Sequence, residues 1–319
     1  MIIVSKDINE AARLLSNEEV IAIPTETVYG LAGNIYSDKA IKQIFATKNR
    51  PPFNPLIVHI SAIDALHKVA QQIPDAAFLL AERFWPGPLT LILPKKNHIS
   101  NLVSGGKATV GVRVPNHSLT LSLLDLLDFP LAAPSANPSG RISPTKVEHI
   151  ISYFSDTLPM VLDGGACQRG VESTIVGFEG KDIVIYRLGA IQLEDIKALV
   201  GDLRVKHYAS QTPDAPGMLL KHYATTTPLV LTNNLMQEVE KHKDKKIGIL
   251  HFDDVDMDLT HIKSAIVCQS SNYEQGAQQL YDFMHYLDEQ QLDLIIAQKC
   301  RPEGLGLTIN DRLFRAAQR

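Results

Sequence analysis

Only three cysteines occur in 319 residues, Cys167, Cys268 and Cys300, and they lie too far apart for a disulfide framework or a C-x-x-C zinc knuckle. Reduced, mostly buried thiols are expected. No apolar run approaches the roughly 18 residues that cross a bilayer, and the opening MIIVSKDINE has no basic start followed by a hydrophobic stretch. Neither a membrane span nor a signal peptide is read, and a cytoplasmic location is expected. An excess of charge of one sign is also missing: 31 Lys and Arg face 35 Asp and Glu, which gives nucleic acid no non-specific attraction. G-x-S-x-G, H-E-x-x-H and Walker A sequences do not occur, and no carboxylate pair sits at a strand end with acid/base spacing. Glu303-Gly304-Leu305-Gly306 is too short and too late to be a dinucleotide fingerprint. A site in this chain therefore has to work with cations, hydroxyls and backbone amides.

The chain has enough apolar residues, 45%, for about two ordinary domains. Strand-like and helical runs alternate throughout, so the class is α/β. Asp7 and Glu10 have capping-box spacing for a helix to Ser16, and Val20–Ile23 suits a strand buried on both faces. Glu179-Gly180-Lys181-Asp182 reads as a hairpin turn, which makes the sheet mixed. Further helices are expected at 61–72, 75–84, 118–127 and 144–154, with Pro144 in the first turn of the last. We expect a domain over residues 1–200, a long connection or active-site lid over 201–227, marked by Pro213, Pro216 and Gly217, and a small Rossmann-like α/β unit over 228–319.

Within this frame several stretches carry chemistry. Val20–Asn34, VIAIPTETVYGLAGN, is an apolar strand that stops at Pro24 and then presents Thr25, Glu26 and Thr27 where ligands of α/β sheets bind. Lys48 and Arg50 close a helix ahead of Pro51, Pro52 and Pro55, which suits either helix-end electrostatics or anion binding. The pleat places His59 with Ile57, facing an interior or a cleft. It also places Arg113 opposite three valines and beside Gly111; a guanidinium there needs an anion, either a structural carboxylate or a bound carboxylate or phosphate. Leu131–Ser143 repeats the opening theme and reads as a phosphate-binding loop or a surface turn. Ser173 and Arg187 add a hydroxyl and a cation. Cys167 has no nameable partner that would make it a nucleophile.

Taken in order, PTETVYGLAGN, KNRPPFNPLIVHI, FWPGPLTLIL, VGVRVP, APSANPSGRISPT, DGGACQRGVESTIVGF and PGMLLKHYA resemble the threonylcarbamoyl-AMP synthase family with its YrdC-like domain. The resemblance runs from about Val20 to the C-terminus, where Glu303–Gly306 and Asn310-Asp311-Arg312-Leu313 look like the end of the two-domain form. It implies a YrdC-like mixed, twisted sheet with helices, followed by a small Rossmann-like domain. The implied activity combines L-threonine, bicarbonate and ATP into threonylcarbamoyl-adenylate and pyrophosphate, for transfer by other proteins to the adenosine at position 37 of tRNA. Whether tRNA is bound directly is not read from the sequence.

By this resemblance Thr27, His59, Arg113, Ala133 and Ser173 surround threonine. Arg50, Asn54, Thr109, Ser135, Asn137, Ser143 and Arg187 line the ATP side, His222 and Tyr223 cover the nucleotide, and Lys48 and Arg50 are the catalytic cations. Magnesium is carried by the phosphates, with no protein metal site. Leu188, Leu219, Leu220 and Thr225 depart from the family pattern around Arg187 and the lid. Two rival readings are an RNA-binding module without catalysis and a carbamoyl-adenylating domain of hydrogenase-maturation type. Balanced charge counts against the first, and the lack of C-x-x-C against the second.

Overall fold

A computed structural model describes residues 2–206, 215–252, 257–270 and 272–318, so residues 207–214 of the expected connection lie outside the described residues. The chain divides into two compact units, Met1–Ser139 with Ser143–Leu219, and Gly140–Ile142 with Leu220–Arg319.

The first unit is built on one 11-stranded mixed sheet. Its order is Ile3–Ser5, Met160–Leu162, Ile21–Ile23, Gly30–Asn34, Leu131–Ala132, Ile57–His59, Thr109–Arg113, Leu89–Pro94, Thr174–Glu179, Asp182–Arg187 and Arg204–Val205. Side chains alternate across it. Val58, Leu89, Leu91, Leu93, Val110, Val112 and Val176 point to one face and join the main core with apolar residues of the helices Asp38–Lys48, Asp75–Phe84 and Val147–Phe154. The opposite face carries Ile57, His59, Ile92 and Arg113, and it is this face that becomes polar. Ile21–Ile23 is buried on both sides, with Ala22 in the main core and Ile21 and Ile23 in a second cluster formed with helices Ile8–Ser16 and Ser118–Leu126. Asp7 caps the first of these helices by accepting from the Asn9 and Glu10 amides. The hairpin at Gly180 pairs Glu179 with Asp182.

The structure adds one strand and changes two expectations. Gly30–Asn34 is a strand although its two glycines argue against one. A Cβ on Gly33 would stand 3.1 Å from Ile44 Cδ1 and 3.3 Å from Ala40 Cβ, so the bare backbone lets the helix Asp38–Lys48 approach the sheet. The expected helix over 61–72 is a 3-10 turn, Ile63–Ala65, and a single α-turn, Leu66–Val69. Pro144 is not in a helix: the helix starts at Val147, and the Pro144 carbonyl instead accepts from the Tyr29 amide at 2.9 Å.

The second unit has four parallel strands in the order Leu229–Thr232, Leu294–Gln298, Lys246–His251 and Ser264–Gln269, alternating with helices Leu235–Lys241, Tyr273–Glu289 and Leu305–Ala316. Glu303-Gly304-Leu305-Gly306 proves to be the start of the last helix, with Gly304 at the N-cap in the left-handed region (φ 49°). Gly140–Ile142 belongs to this unit because of Arg141, whose Nη2 donates to Asp288 Oδ2 at 3.2 Å and to Thr226 Oγ1. The Gly140 carbonyl also accepts from the Ala224 amide at 2.7 Å.

Candidate active site

Pro24 ends the strand Ile21–Ile23, and the freed backbone is captured locally. Thr25 Oγ1 accepts from the Thr27 and Val28 amides, both at 3.2 Å, and donates to the Val28 carbonyl at 2.6 Å. This tight turn fixes Glu26 and Thr27, both almost fully buried. From the central strand Thr109–Arg113, Arg113 reaches them: Nη1 donates to Thr27 Oγ1 at 2.9 Å, and Nη2 lies 2.7 Å from Glu26 Oε1. Its Nε donates to the Gly87 carbonyl at 3.2 Å. Glu26 Oε2 accepts from the Asn116 amide at 3.0 Å. The anion that Arg113 requires is thus present in the chain. It is Glu26, which the motif PTETVYG places at the ligand-binding edge without revealing Arg113 as its partner.

His59 pairs in register with Arg113 on the neighbouring parallel strand. Burial, followed by the Arg113 charge, lowers its pKa to about 3, and the Ile57 carbonyl 3.3 Å from Nδ1 only partly opposes this. The imidazole is therefore neutral at physiological pH and is too weak a base to take a proton from an ammonium group. A stability consequence follows. The unfolded chain takes up a proton near pH 6.5 and the folded His59 does not until about pH 3, so stability is lost as pH falls through that window. At about 1.4 kcal/mol per pH unit, His59 contributes roughly 2–3 kcal/mol of the loss between pH 6.5 and 4.5. His149, lowered to about 4 by burial and then by Lys146, adds to it. Urea unfolding of wild type and His59→Asn over this range checks the point; equal pH slopes would remove His59 from the account.

The two helix-end cations are less free than their sequence setting implies. Lys48 is buried, and its Nζ donates to the Ser135 and Asn137 carbonyls, while its own carbonyl accepts from the Ser139 amide at 2.7 Å. Burial, with Arg50 second, pulls its ammonium well below the usual lysine range. Lys48 thus shapes the 135–139 loop, whose other side is pinned by the Leu31 amide donating to the Pro134 carbonyl at 2.7 Å and the Ala136 amide donating to the Tyr29 carbonyl at 2.8 Å. Arg50 closes its own proline-framed turn, donating from Nε to the Asn54 carbonyl at 3.2 Å and from Nη2 to the Pro55 carbonyl at 2.8 Å. Asn54 itself is almost fully buried.

A third group forms around Ser173. Its Oγ lies 2.7 Å from Thr90 Oγ1 and accepts from Arg187 Nη2 at 3.0 Å, while Arg187 Nε and Nη2 also donate to the Ser173 carbonyl at 3.1 and 2.9 Å. Ser143 Oγ donates to Glu172 Oε1 at 2.7 Å. Residues 215–218 return over this group. Gly217 passes so close to Arg187 that a Cβ would be 2.8 Å from Nη1, and Ala215 and Met218 cluster with Ile57, Ile92, Ile175 and Tyr186. Part of the expected connection therefore covers the apolar portion of this face.

Ala133 is held beside these residues by its amide, which donates to the Ile57 carbonyl at 3.0 Å. Thr109 stands apart from Arg113, four residues away on the same strand, about 13 Å at the usual rise. It lines a cavity of about 540 Å³ with Lys107, Glu179, Tyr186 and Lys206.

His222 and Tyr223 belong to the second unit. Tyr223 is fully buried in the left-handed region (φ 65°), stacked on Tyr281 with ring centroids 5.5 Å apart and edge-on to His222 at 4.1 Å. Two buried arginines face its ring, Arg312 at 5.1 Å and Arg315 at 4.8 Å, and both pair with Asp311.

Comparison with known proteins adds to this geometry. The family model described as Telomere recombination matches residues 13–189, and the model described as Threonylcarbamoyl-AMP synthase, C-terminal domain, matches residues 191–318. A threonylcarbamoyl-AMP synthase of Pyrococcus abyssi is 36% identical over 322 residues, spanning 96% of this chain and 93% of its own. One of Bacillus subtilis is 39% identical over 323 residues, spanning 97% and 92%. Among solved structures, P. abyssi Sua5 complexed with L-threonine matches with a TM-score of 0.92 at 34% identity, covering 99% of this chain and 97% of that one.

Proposed function

The chain belongs to the threonylcarbamoyl-AMP synthase family, and from that premise we propose that it joins L-threonine, bicarbonate and ATP on the sheet face that carries Arg113 and His59. The observation that carries the reading is Arg113, a buried guanidinium on a central strand, hydrogen-bonded to Thr27 and paired in register with His59. It takes the threonine carboxylate in charge-assisted hydrogen bonds. Ser173 lies on the same side and is held by Arg187.

On the ATP side, Arg50, Asn54, Ser135, Asn137, Ser143 and Arg187 contact the nucleotide, and Thr109, at the other end of its strand from Arg113, meets only the part farthest from threonine. Lys48 acts by holding the loop that presents Ser135 and Asn137, and Arg50 by fixing the turn at Asn54, so that amides, hydroxyls and cations are in place before phosphate charge develops. Magnesium would be carried by the nucleotide phosphates and would offset their charge, with no protein carboxylate cluster required to hold it. The described residues hold no group of three or more His, Cys, Asp or Glu placed for a metal ion.

The deprotonated threonine amine adds to carbon dioxide with loss of a proton, or to bicarbonate with loss of its hydroxyl as water, and an oxygen of the resulting carbamate displaces pyrophosphate at the α-phosphorus. No protein nucleophile is needed. Cys167, whose thiol burial pushes far above its ordinary range, takes no part. The product passes to tRNA-modifying proteins that act on adenosine 37. No helix among the described residues is long and apolar enough to cross a membrane.

Pyrophosphate release from ATP, with threonine and bicarbonate omitted in turn, tests this reading. All three reactants should be required. Release that persists without threonine, and is stimulated by a carbamoyl donor, would transfer the chain to a different adenylating reaction.

A further inference from the structure

Glu26 has no part in the chemistry above, yet its carboxylate is 3% exposed and lies 2.7 Å from the guanidinium that is to receive the substrate carboxylate. Its surroundings fix its place. Oε2 accepts from the Asn116 amide, and the flanking Thr25 and Thr27 are locked in the turn after Pro24. A monoanion arriving at Arg113 would gather two carboxylates about one guanidinium in a poorly solvated site, leaving one negative charge unmatched. His59, in register with Arg113, is neutral and cannot offset it. A zwitterion brings its own compensation: its carboxylate takes the guanidinium and its ammonium takes the carboxylate that the guanidinium has partly released.

We infer that Glu26 is the specificity-determining residue for the α-ammonium of the amino-acid substrate, so that the Glu26–Arg113 pair admits zwitterions and rejects plain hydroxy acids. The inference rests on the reading that threonine binds at Arg113. In the ligand-free chain the two residues neutralise one another, which removes the cost of burying either charge alone. On binding, the charges alternate in the order Glu26, ammonium, substrate carboxylate, Arg113. The pair thereby acts as a two-point gauge of the α-carbon, and the threonine side chain is left to the hydroxyls and His59.

The test compares L-threonine with 3-hydroxybutyrate, the same molecule without its amine, by calorimetry on the full chain. Wild type should bind threonine far more tightly, by about 100-fold or more, since both a charged hydrogen bond is lost and a charge is left unmatched. Comparable affinities in wild type would overturn the inference without any variant. In Glu26→Gln, threonine should weaken by about tenfold or more, while 3-hydroxybutyrate binds as well as before or better, because the repelling charge has gone. If the two ligands weaken by the same factor, Glu26 only positions Arg113 and the inference fails. Glu26→Asp keeps the charge and should retain the preference for threonine that Glu26→Gln loses; an aspartate variant that discriminates no better than the glutamine one would also overturn the inference. Failure of the underlying reading gives a different pattern: Arg113→Lys would leave the binding of both ligands unchanged.

Discussion

Arg113→Ala is expected to weaken threonine binding by about 10- to 150-fold, the equivalent of a charged hydrogen bond of roughly 1.5–3 kcal/mol, while ATP binding stays within a few-fold of wild type. The same substitution should lower stability, for a reason separate from binding. It deprives Thr27 Oγ1 and the Gly87 carbonyl of their donor and leaves Glu26 as a buried, uncompensated carboxylate. Breaking such a pair costs about 3–5 kcal/mol. The two losses are separable. Arg113→Met combined with Glu26→Gln removes the charge as well as its partner, so urea unfolding should return most of the way to wild type while threonine binding stays lost. Should the double variant recover threonine binding, Arg113 would be a structural residue and nothing more.

Arg312→Ala should have the largest effect on the second unit. The side chain is fully buried, pairs with Asp311 and lies over the Tyr223 ring, so its removal strips a charge partner and one wall of the pocket that holds Tyr223 in the left-handed region. Arg315 remains 3.5 Å from Asp311 and limits the damage. A loss of about 3 kcal/mol is expected, which in a unit of this size is roughly a 10 °C fall in its melting temperature or more. Arg312→Lys keeps the charge without the planar face and should fall between the two. A melting temperature within about 2 °C of wild type would show that Arg315 and Tyr281 suffice.

Alternation and punctuation carried most of the fold in the sequence. Val20–Ile23 followed by Pro24, the valines around Arg113 and the hairpin at Gly180 each state their role locally, and the structure follows them. What was not legible depended on partners remote in the chain. Gly30–Asn34 reads poorly as a strand until the helix that lies against Gly33 is known. Pro144 looks like a helix start, whereas its carbonyl is engaged by Tyr29. Within the candidate site, the demand of Arg113 for an anion could be stated from the strand pattern. The identity of that anion could not, because Glu26 is 87 positions away and meets it only through sheet order. Lys48 carries the same lesson: at a helix end it reads as a cation for the helix terminus or for a bound anion, and only the fold brings two carbonyls of the 135–137 stretch to its ammonium.

The placement of Gly140–Ile142 in the second unit has a consequence in time. Arg141 precedes its partner Asp288 by 147 positions, so at ribosomal speeds of about 5–20 residues per second roughly 7 to 30 s separate their synthesis. During that interval the first sheet can be completed while Arg141 stays in water. The stretch that carries Ser135, Asn137 and Ser143 is made after Thr27, Arg50, His59 and Arg113, and well before the carboxylate that holds Arg141. Nascent chains released before Asp288 is synthesised would carry all the residues proposed to meet threonine, together with a loop on the ATP side that still lacks its final tether.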